Sequence, residues 1–364
     1  MQVRLFKPRV TEEAITAAAN VMRSGWLGMG PVTSQFEKAF AQYIGVSRAL
    51  AVNTCTSALH LAVKLLRLAP GTEVITSPLT FVAANEVLLY EGLTPVFADI
   101  DSKTGNLTPQ SVAAKLSDRT GAVMLTHYGG YACDLDGFRQ STALPIVEDC
   151  AHACGAWYRD ARVGASGNLC AFSFDPIKNL TTGDGGMLIC PDESQDKRAR
   201  TLRYMGLSKD AFTRLKGSSR SWEYEVPEIG YRYHMNDVAA ALGLAHLKLV
   251  DEDNTRREAI AARYRRLLAA VPGVGLLEYA PDRRSSYHLF TILAEHRGAL
   301  SDKLGKAGVI VGGHYARNDV YRIFHRAELP DAECFCSRLL TLPMHAELTD
   351  EEIDYVCGVI REGW

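Results

Sequence analysis

Short apolar runs recur through the first half of the chain, each set off by polar or glycine-rich residues: Ala49–Asn53, Glu73–Ser77, Pro95–Asp99, Ala122–His127, Pro145–Asp149, Cys170–Phe174 and Met187–Cys190. Runs that are apolar at nearly every position read as strands covered on both faces. Segments with helical spacing separate several of them, as in Ser57–Leu68, Ala83–Tyr90 and Thr108–Leu116. This alternation predicts an α/β architecture, a mostly parallel seven-stranded sheet between helices. Ligands of such sheets gather beyond the carboxyl ends of the strands. Asn53, Asp149 and Ser173 all fall at or near those ends.

Beyond about residue 236 the pattern changes. Asn236 suits an N-cap, and Val238, Leu242, Ala245 and Leu249 follow at helical spacing. A second amphipathic helix runs through Ile260, Tyr264, Leu267 and Leu268 and stops near Pro272-Gly273. Further on, Tyr287–Leu293, Val309–Gly313 and Leu339–Pro343 are strand candidates, and Asp350–Ile360 is a closing helix. The chain is therefore expected to divide into a large domain, residues 1–245, and a smaller C-terminal α+β domain, residues 246–364. No internal repeat or low-complexity stretch interrupts it.

Composition narrows the function classes. The 364 residues are 47% hydrophobic and 23% charged, ordinary globular usage with room for a large core. A net charge of −2 gives no general reason to expect nucleic acid or an anionic membrane as a partner. No apolar run approaches the roughly 18 residues of a membrane span. The start, MQVRLFKPRVTEEA, lacks the apolar core of a signal peptide, so a cytoplasmic location is expected. The nine cysteines then read as reduced thiols. Cys150, His152 and Cys154 form a C-x-H-x-C, and Cys334 and Cys336 a C-x-C, but neither has a second pair at ligand spacing, so no metal is expected.

The candidate chemistry lies between Pro145 and Cys190. An apolar run ends in Asp149; a strand-like run then leads through Ser173 to Lys178 and the glycine-rich turn Gly183–Gly186. Pyridoxal 5'-phosphate needs this set. A lysine forms a Schiff base with its aldehyde, and a carboxylate keeps a proton on its ring nitrogen so that the ring accepts electrons. Small residues let the backbone come close. A free lysine is protonated at neutral pH, and burial would lower its pKa. Asp149 also has a simpler reading, as the cap of a helix at the strand end. His152 reaches the cofactor's phenolic oxygen or is a core histidine satisfied by the backbone; both readings stand. Thr56 and Ser57 fall at the start of a helix, where free N–H groups and the dipole suit a phosphate, or an ordinary cap. Ser173 offers another hydroxyl, and Phe81 a ring to stack on the pyridine or to join the core.

With these residues in place, the chain resembles the DegT/DnrJ/EryC1/StrS family of pyridoxal phosphate-dependent sugar aminotransferases, which have the fold-type-I architecture of aspartate aminotransferase. The similarity is carried nearly end to end by SGWLGMGPVTSQFEKAF, NTCTSALHLAV, TSPLTFVAANEVLLYEGLTPVFADID, VEDCAHACGA, FSFDPIKNLTTGDGGML, YRYHMNDVAAALGLAHL and LLTLPMHAELTDEEIDYV. The resemblance implies that Lys178 binds the cofactor and shuttles protons, Asp149 pairs with the ring nitrogen, Phe81 stacks on the ring and His152 lies near the phenolic oxygen. It implies phosphate contacts from Thr56, Ser57 and Ser173. It also implies a homodimer with shared sites, in which Arg232, standing where the family usually has asparagine, reaches the neighbouring chain's phosphate. Trp26, Leu27, His314, Tyr315 and Asn318 fall in segments that the family places near its substrate. After His314-Tyr315, this chain has Ala316-Arg317-Asn318-Asp319 where the family often has prolines and a histidine. The implied reaction moves nitrogen from an amino acid, glutamate, to a keto sugar carried on a nucleotide, with Lys178 as acid and base in both halves. Arg198–Arg203 and Arg214–Arg220 are candidates for the sugar-nucleotide phosphates, or plain solvated surface. Two other readings are a keto-sugar deoxygenating enzyme, whose class typically has histidine in place of Lys178, and a cofactor-binding regulator without activity.

Overall fold

The computed structural model describes residues 1–208 and 223–364. The Arg214–Arg220 candidate lies outside the described residues.

All seven predicted runs form strands of one sheet: β1 Leu50–Val52, β2 Glu73–Thr76, β3 Thr94–Phe97, β4 Thr120–Thr126, β5 Ile146–Asp149, β6 Leu169–Ser173 and β7 Gly186–Ile189. Their order is β1-β7-β6-β5-β4-β2-β3. Only β7 runs against the rest, pairing antiparallel with both β1 and β6. The strands are apolar throughout because each face has its own helical layer. In β6, Cys170 and Phe172 join one buried cluster, with Phe36, Phe40 and Phe174, while Leu169 and Ala171 join the opposite one, with Leu59, Leu61 and Leu188. Alternate residues of a strand point to opposite faces, so covering both faces requires apolar residues at every position.

The helix after β1, Cys55–Leu66, starts at Thr54, whose side chain accepts from the Ser57 N–H. The expected start at Ser57 was two residues late. Asn236 caps the helix Asp237–Leu247 as expected, its side chain accepting from the Ala239 N–H. The helix expected over Thr108–Leu116 is shorter, Pro109–Ala113, opened by a Thr108–Ser111 capping box.

In the C-terminal region a second sheet of three antiparallel strands, β8 Val274–Leu276, β9 Phe290–Ala294 and β10 Leu339–Leu342, has β9 at its centre. The helices Val250–Leu268 and Asp350–Arg361 contribute to its core, where Tyr264 stacks on Phe290 at 4.8 Å. The chain's start belongs to this core too, through buried Val3. The strand expected over Val309–Gly313 is not continuous. Val309 bridges to Val3 and Gly312 to Thr341, and two different partners cannot make one ladder. A short ribbon, Trp157–Tyr158 with Ala161–Arg162 and Arg283–Arg284, ties the two regions and was not anticipated. Among the described residues, no helix is long and apolar enough to cross a membrane.

Candidate active site

The segments leaving β1, β2, β5 and β6 meet around a cavity of about 360 Å³. Asp149, the last residue of β5, stands at its floor. One carboxylate oxygen accepts the Ala151 N–H at 3.0 Å, and the other the Thr80 hydroxyl at 3.3 Å. Burial pushes this carboxyl above the ordinary aspartate range, while the Ala151 N–H and the Lys178 charge pull the other way. Lys178 lines the same cavity from the turn after β6. Burial of its amine lowers its pKa below that of a free lysine, against the pull of Cys55, Asp149 and Asp175.

One wall is the start of the helix Cys55–Leu66, with Thr54, Cys55 and Thr56 facing the cavity. This start can lie close to β7 because residue 186 is glycine: a Cβ there would come within 2.6 Å of the Thr54 backbone. Ser173 and Gly185 complete that side. His152 lies opposite. Its Nδ1 accepts the Gly129 N–H at 3.3 Å and its Nε2 meets the Tyr315 hydroxyl at 3.1 Å, so the neutral ring carries its proton on Nε2. Burial holds His152 well below the usual histidine pKa, with Lys178 and His314 adding to the effect. Both readings of His152 thus have a place: one nitrogen is satisfied by backbone, and the ring still lines the cavity. His314 and Tyr315 close the cavity from the C-terminal side, and burial lowers His314 to about 4. Phe81, 59% exposed at the mouth, has its ring 6.0 Å from that of Tyr315.

Other expected residues lie elsewhere. The Ser57 hydroxyl is turned away, donating to Asn53 at 2.7 Å. Arg232 is exposed, beside Asn53 and outside the cavity lining of its own chain. Trp26 and exposed Leu27 are also outside that lining; their loop is tethered by Asp237, which accepts the Gly30 and Thr33 N–H groups at 2.8 and 2.9 Å. Asn318 is a correction. It is 1% exposed, its Nδ2 donating to Thr80 O at 2.8 Å and its Oδ1 accepting from Asn85 at 3.0 Å. Its neighbours are equally spent, since Arg317 forks onto Asp319 at 2.9 and 2.7 Å and reaches Glu333 at 3.1 Å. The amide is used up inside the protein and has no face left for a sugar.

Sequence reading missed Thr54, Thr80 and above all His288, whose Nε2 lies 3.4 Å from the Lys178 Nζ. His288 sits in a run taken for a plain strand, and the available signal was a histidine within apolar neighbours.

Next to Asp149, His127 and Glu148 form a fully buried pair at 2.9 Å, and with Cys150 they make a cluster of metal-ligand type. His127 Nδ1 accepts the Cys133 N–H at 3.0 Å, and Glu148 accepts from Asn168 at 2.6 Å, so hydrogen bonds already fill the cluster.

The cavity residues fit pyridoxal phosphate. A carboxylate with one weakly used oxygen, an amine whose pKa is lowered, a helix start that faces the cavity with Thr54, Cys55 and Thr56, and an exposed ring surround one space of suitable size. Fold and cavity together define a pyridoxal phosphate enzyme. The profile of the DegT/DnrJ/EryC1/StrS aminotransferase family matches residues 8–361, and the chain belongs to that family. It is 37% identical to the spore coat polysaccharide biosynthesis protein SpsC of Bacillus subtilis, over 98% of this chain and 95% of that one. It is also 37% identical to the dTDP-4-dehydro-2,3,6-trideoxy-D-glucose 4-aminotransferase of Saccharopolyspora spinosa, over 99% and 96%. Among solved structures, the aminotransferase TlmJ of Streptoalloteichus hindustanus superposes with a TM-score of 0.93 at 36% identity, covering 100% of this chain and 98% of that one. The PLP form of the putative sugar aminotransferase Spr1654 of Streptococcus pneumoniae gives 0.92 at 28% identity, with the same coverage. The protein is a pyridoxal phosphate-dependent sugar aminotransferase.

Proposed function

We propose that this enzyme takes nitrogen from glutamate and places it on a keto carbon of a nucleotide-linked sugar, for amino-sugar synthesis. The observation that carries this reading is the placement of the Lys178 amine and the Asp149 carboxylate at the floor of one cavity. The name of the Saccharopolyspora relative, a dTDP-sugar 4-aminotransferase, supports the substrate class.

When bound, pyridoxal phosphate supplies a ring that draws electrons from the substrate carbon. The chain does the rest. Asp149 holds a proton on the ring nitrogen, and the buried setting strengthens that contact. The N–H groups at the start of the helix Cys55–Leu66, with the Thr56 and Ser173 hydroxyls, hold the phosphate. Phe81 would stack on the ring and His152 would lie near its phenolic oxygen, and the His152–Tyr315 contact fixes the orientation of both side chains. The Nζ of Lys178, once free, takes and returns a proton at the carbon bearing nitrogen. Its lowered pKa favours the neutral amine that this step needs.

Division of labour between residues 1–245 and 246–364, and between two chains, belongs to the same proposal. Arg232 is exposed and outside its own cavity, as a residue serving a neighbouring chain would be. A two-fold dimer then completes two sites. The test of the reaction is a set of keto-sugar nucleotides assayed with glutamate as donor. Formation of amino sugar together with 2-oxoglutarate supports the reading. Turnover of free keto sugars only, or of another donor only, overturns the corresponding part. For the dimer, mixing inactive Lys178→Ala and Arg232→Ala chains should restore activity, because each hybrid has one site with both residues intact. No rescue after verified subunit exchange removes Arg232 from the neighbour's site.

A further inference from the structure

The Lys178 amine has a polar neighbour outside the set expected from the sequence, His288. Its ring is 0% exposed, lies nearly parallel to that of Phe6 at 5.7 Å and 4°, and packs against His152 at 4.5 Å and 30°. Its tautomer is set by Asn179. The Asn179 Nδ2 donates to Ser286 O at 2.8 Å and Asn254 Oδ1 at 2.7 Å, which fixes the amide and leaves Oδ1 facing His288 Nδ1 at 3.3 Å. An oxygen there requires Nδ1 to carry the proton, so Nε2 presents a bare lone pair. The group in front of that lone pair is the Lys178 Nζ, at 3.4 Å.

We propose that His288 is the resting acceptor of the free Lys178 amine, holding it at the cavity floor between proton transfers. This deepens the reading of Lys178 as the lysine that binds the cofactor and carries the proton, and rests on it. A lysine side chain has much rotamer freedom, and one directed hydrogen bond removes part of it before the proton moves. His288 suits the task because it stays neutral. Burial opposes its protonation, and the charges of Lys178, His152, Arg257 and His314 oppose it further. A cationic ring would instead repel the amine. The groups that face Lys178 itself are Cys55, Asp149 and Asp175, whose negative forms raise its pKa, and the neutral rings of His288, His152 and His314, which burial and the lysine charge keep unprotonated.

The test uses apoenzyme and follows, by visible absorbance, how fast it captures pyridoxal phosphate at different pH. Capture needs the neutral amine, so the rate rises with pH through the pKa of free Lys178. An acceptor stabilises the ammonium more than the amine. Removing it in His288→Phe, which keeps the stacked ring, should lower the midpoint by about one pH unit, the equivalent of one hydrogen bond to a charged group. It should also lower kcat about tenfold or more with little change in KM. In His288→Gln an amide oxygen can take the place of Nε2, and both midpoint and kcat should return most of the way. Thermal melting of each apoenzyme checks the fold, and His288→Leu replaces the phenylalanine variant if that one does not fold. An unchanged midpoint in the variants without an acceptor overturns the proposal. Equal shifts in the glutamine and phenylalanine variants overturn it too, because packing would then explain both. If wild-type apoenzyme develops no visible absorbance with the cofactor, the reading of Lys178 itself fails and this proposal falls with it.

Discussion

The floor of the cavity and the segment after His314-Tyr315 offer an instructive contrast. Both are polar, both lie close to the reacting space, and both stood out in the sequence. At the floor, polar atoms are left with capacity to spare. Among the described residues, Lys178 Nζ has one long contact, to His288 at 3.4 Å, and the Asp149 Oδ2 has one at 3.3 Å, from Thr80. In Arg317-Asn318-Asp319 the polar atoms are engaged: the guanidinium with two carboxylates, the amide with Thr80 O and Asn85. Polar side chains in the first region are held ready for something else, and those in the second hold the protein together. Unspent hydrogen-bonding capacity in a buried place is costly unless a ligand uses it. That separates site from scaffold here better than polarity or position along the chain.

If the contrast is real, the largest effect belongs to Lys178. Lys178→Ala should abolish transamination and the visible absorbance of bound cofactor, while the melting temperature of the apoenzyme changes little. Near wild-type turnover would break the comparison at its strongest point. Asp149→Asn is the next largest. It keeps the shape and removes the charge, and the loss should be at least about a hundredfold in both halves of the reaction, in line with other losses of a buried electrostatic contact to a reacting group. A drop of only a few fold would make Asp149 a cap for Ala151 and little else. Phe81→Ala should act more gently. Its exposed ring contributes stacking alone, worth about 0.5–1.5 kcal/mol, so cofactor should dissociate roughly two- to tenfold more readily with kcat largely kept. Equilibrium titration of the apoenzyme with cofactor reads this directly.

The floor was legible in the sequence because its residues are adjacent to strand ends. Asp149 closes an apolar run, Ser173 closes another, and Lys178 comes in the next turn, so local pattern and chemistry coincide. The same rule carried the sheet, whose strands are apolar on both faces and leave a strong linear signal. What was not legible depends on contacts far apart in the chain. His288 meets Lys178 across 110 residues, and Asn318 meets Thr80 across 238. No local spacing encodes whether an amide will be spent on a distant carbonyl. The Val309–Gly313 run failed as a strand for a related reason, since its two ends pair with different segments. Thr54 was a nearer miss: Thr54, Thr56 and Ser57 fall within four residues and each suits a cap, and the structure gives that place to Thr54, whose backbone packs close to Gly186.

Asn318→Ala probes the other side of the contrast and should have the smallest effect on chemistry. The side chain joins two loops: its amide ties the segment carrying His314 and Tyr315 to Thr80, which itself donates to Asp149. Truncation leaves the Thr80 carbonyl without this donor and removes one acceptor from the Asn85 amide, which keeps its bond to Ser77 O. Leaving such groups unpaired costs about 1–3 kcal/mol, so the melting temperature should fall. Activity should track that loss of order and nothing more, with the donor half and the sugar half slowed by similar factors and the spectrum of bound cofactor unchanged. Single-turnover measurement of each half decides between strut and substrate contact. A loss confined to the sugar half, with stability intact, would mean that the amide leaves Thr80 and Asn85 to meet the sugar, and the line drawn between floor and scaffold would have to move.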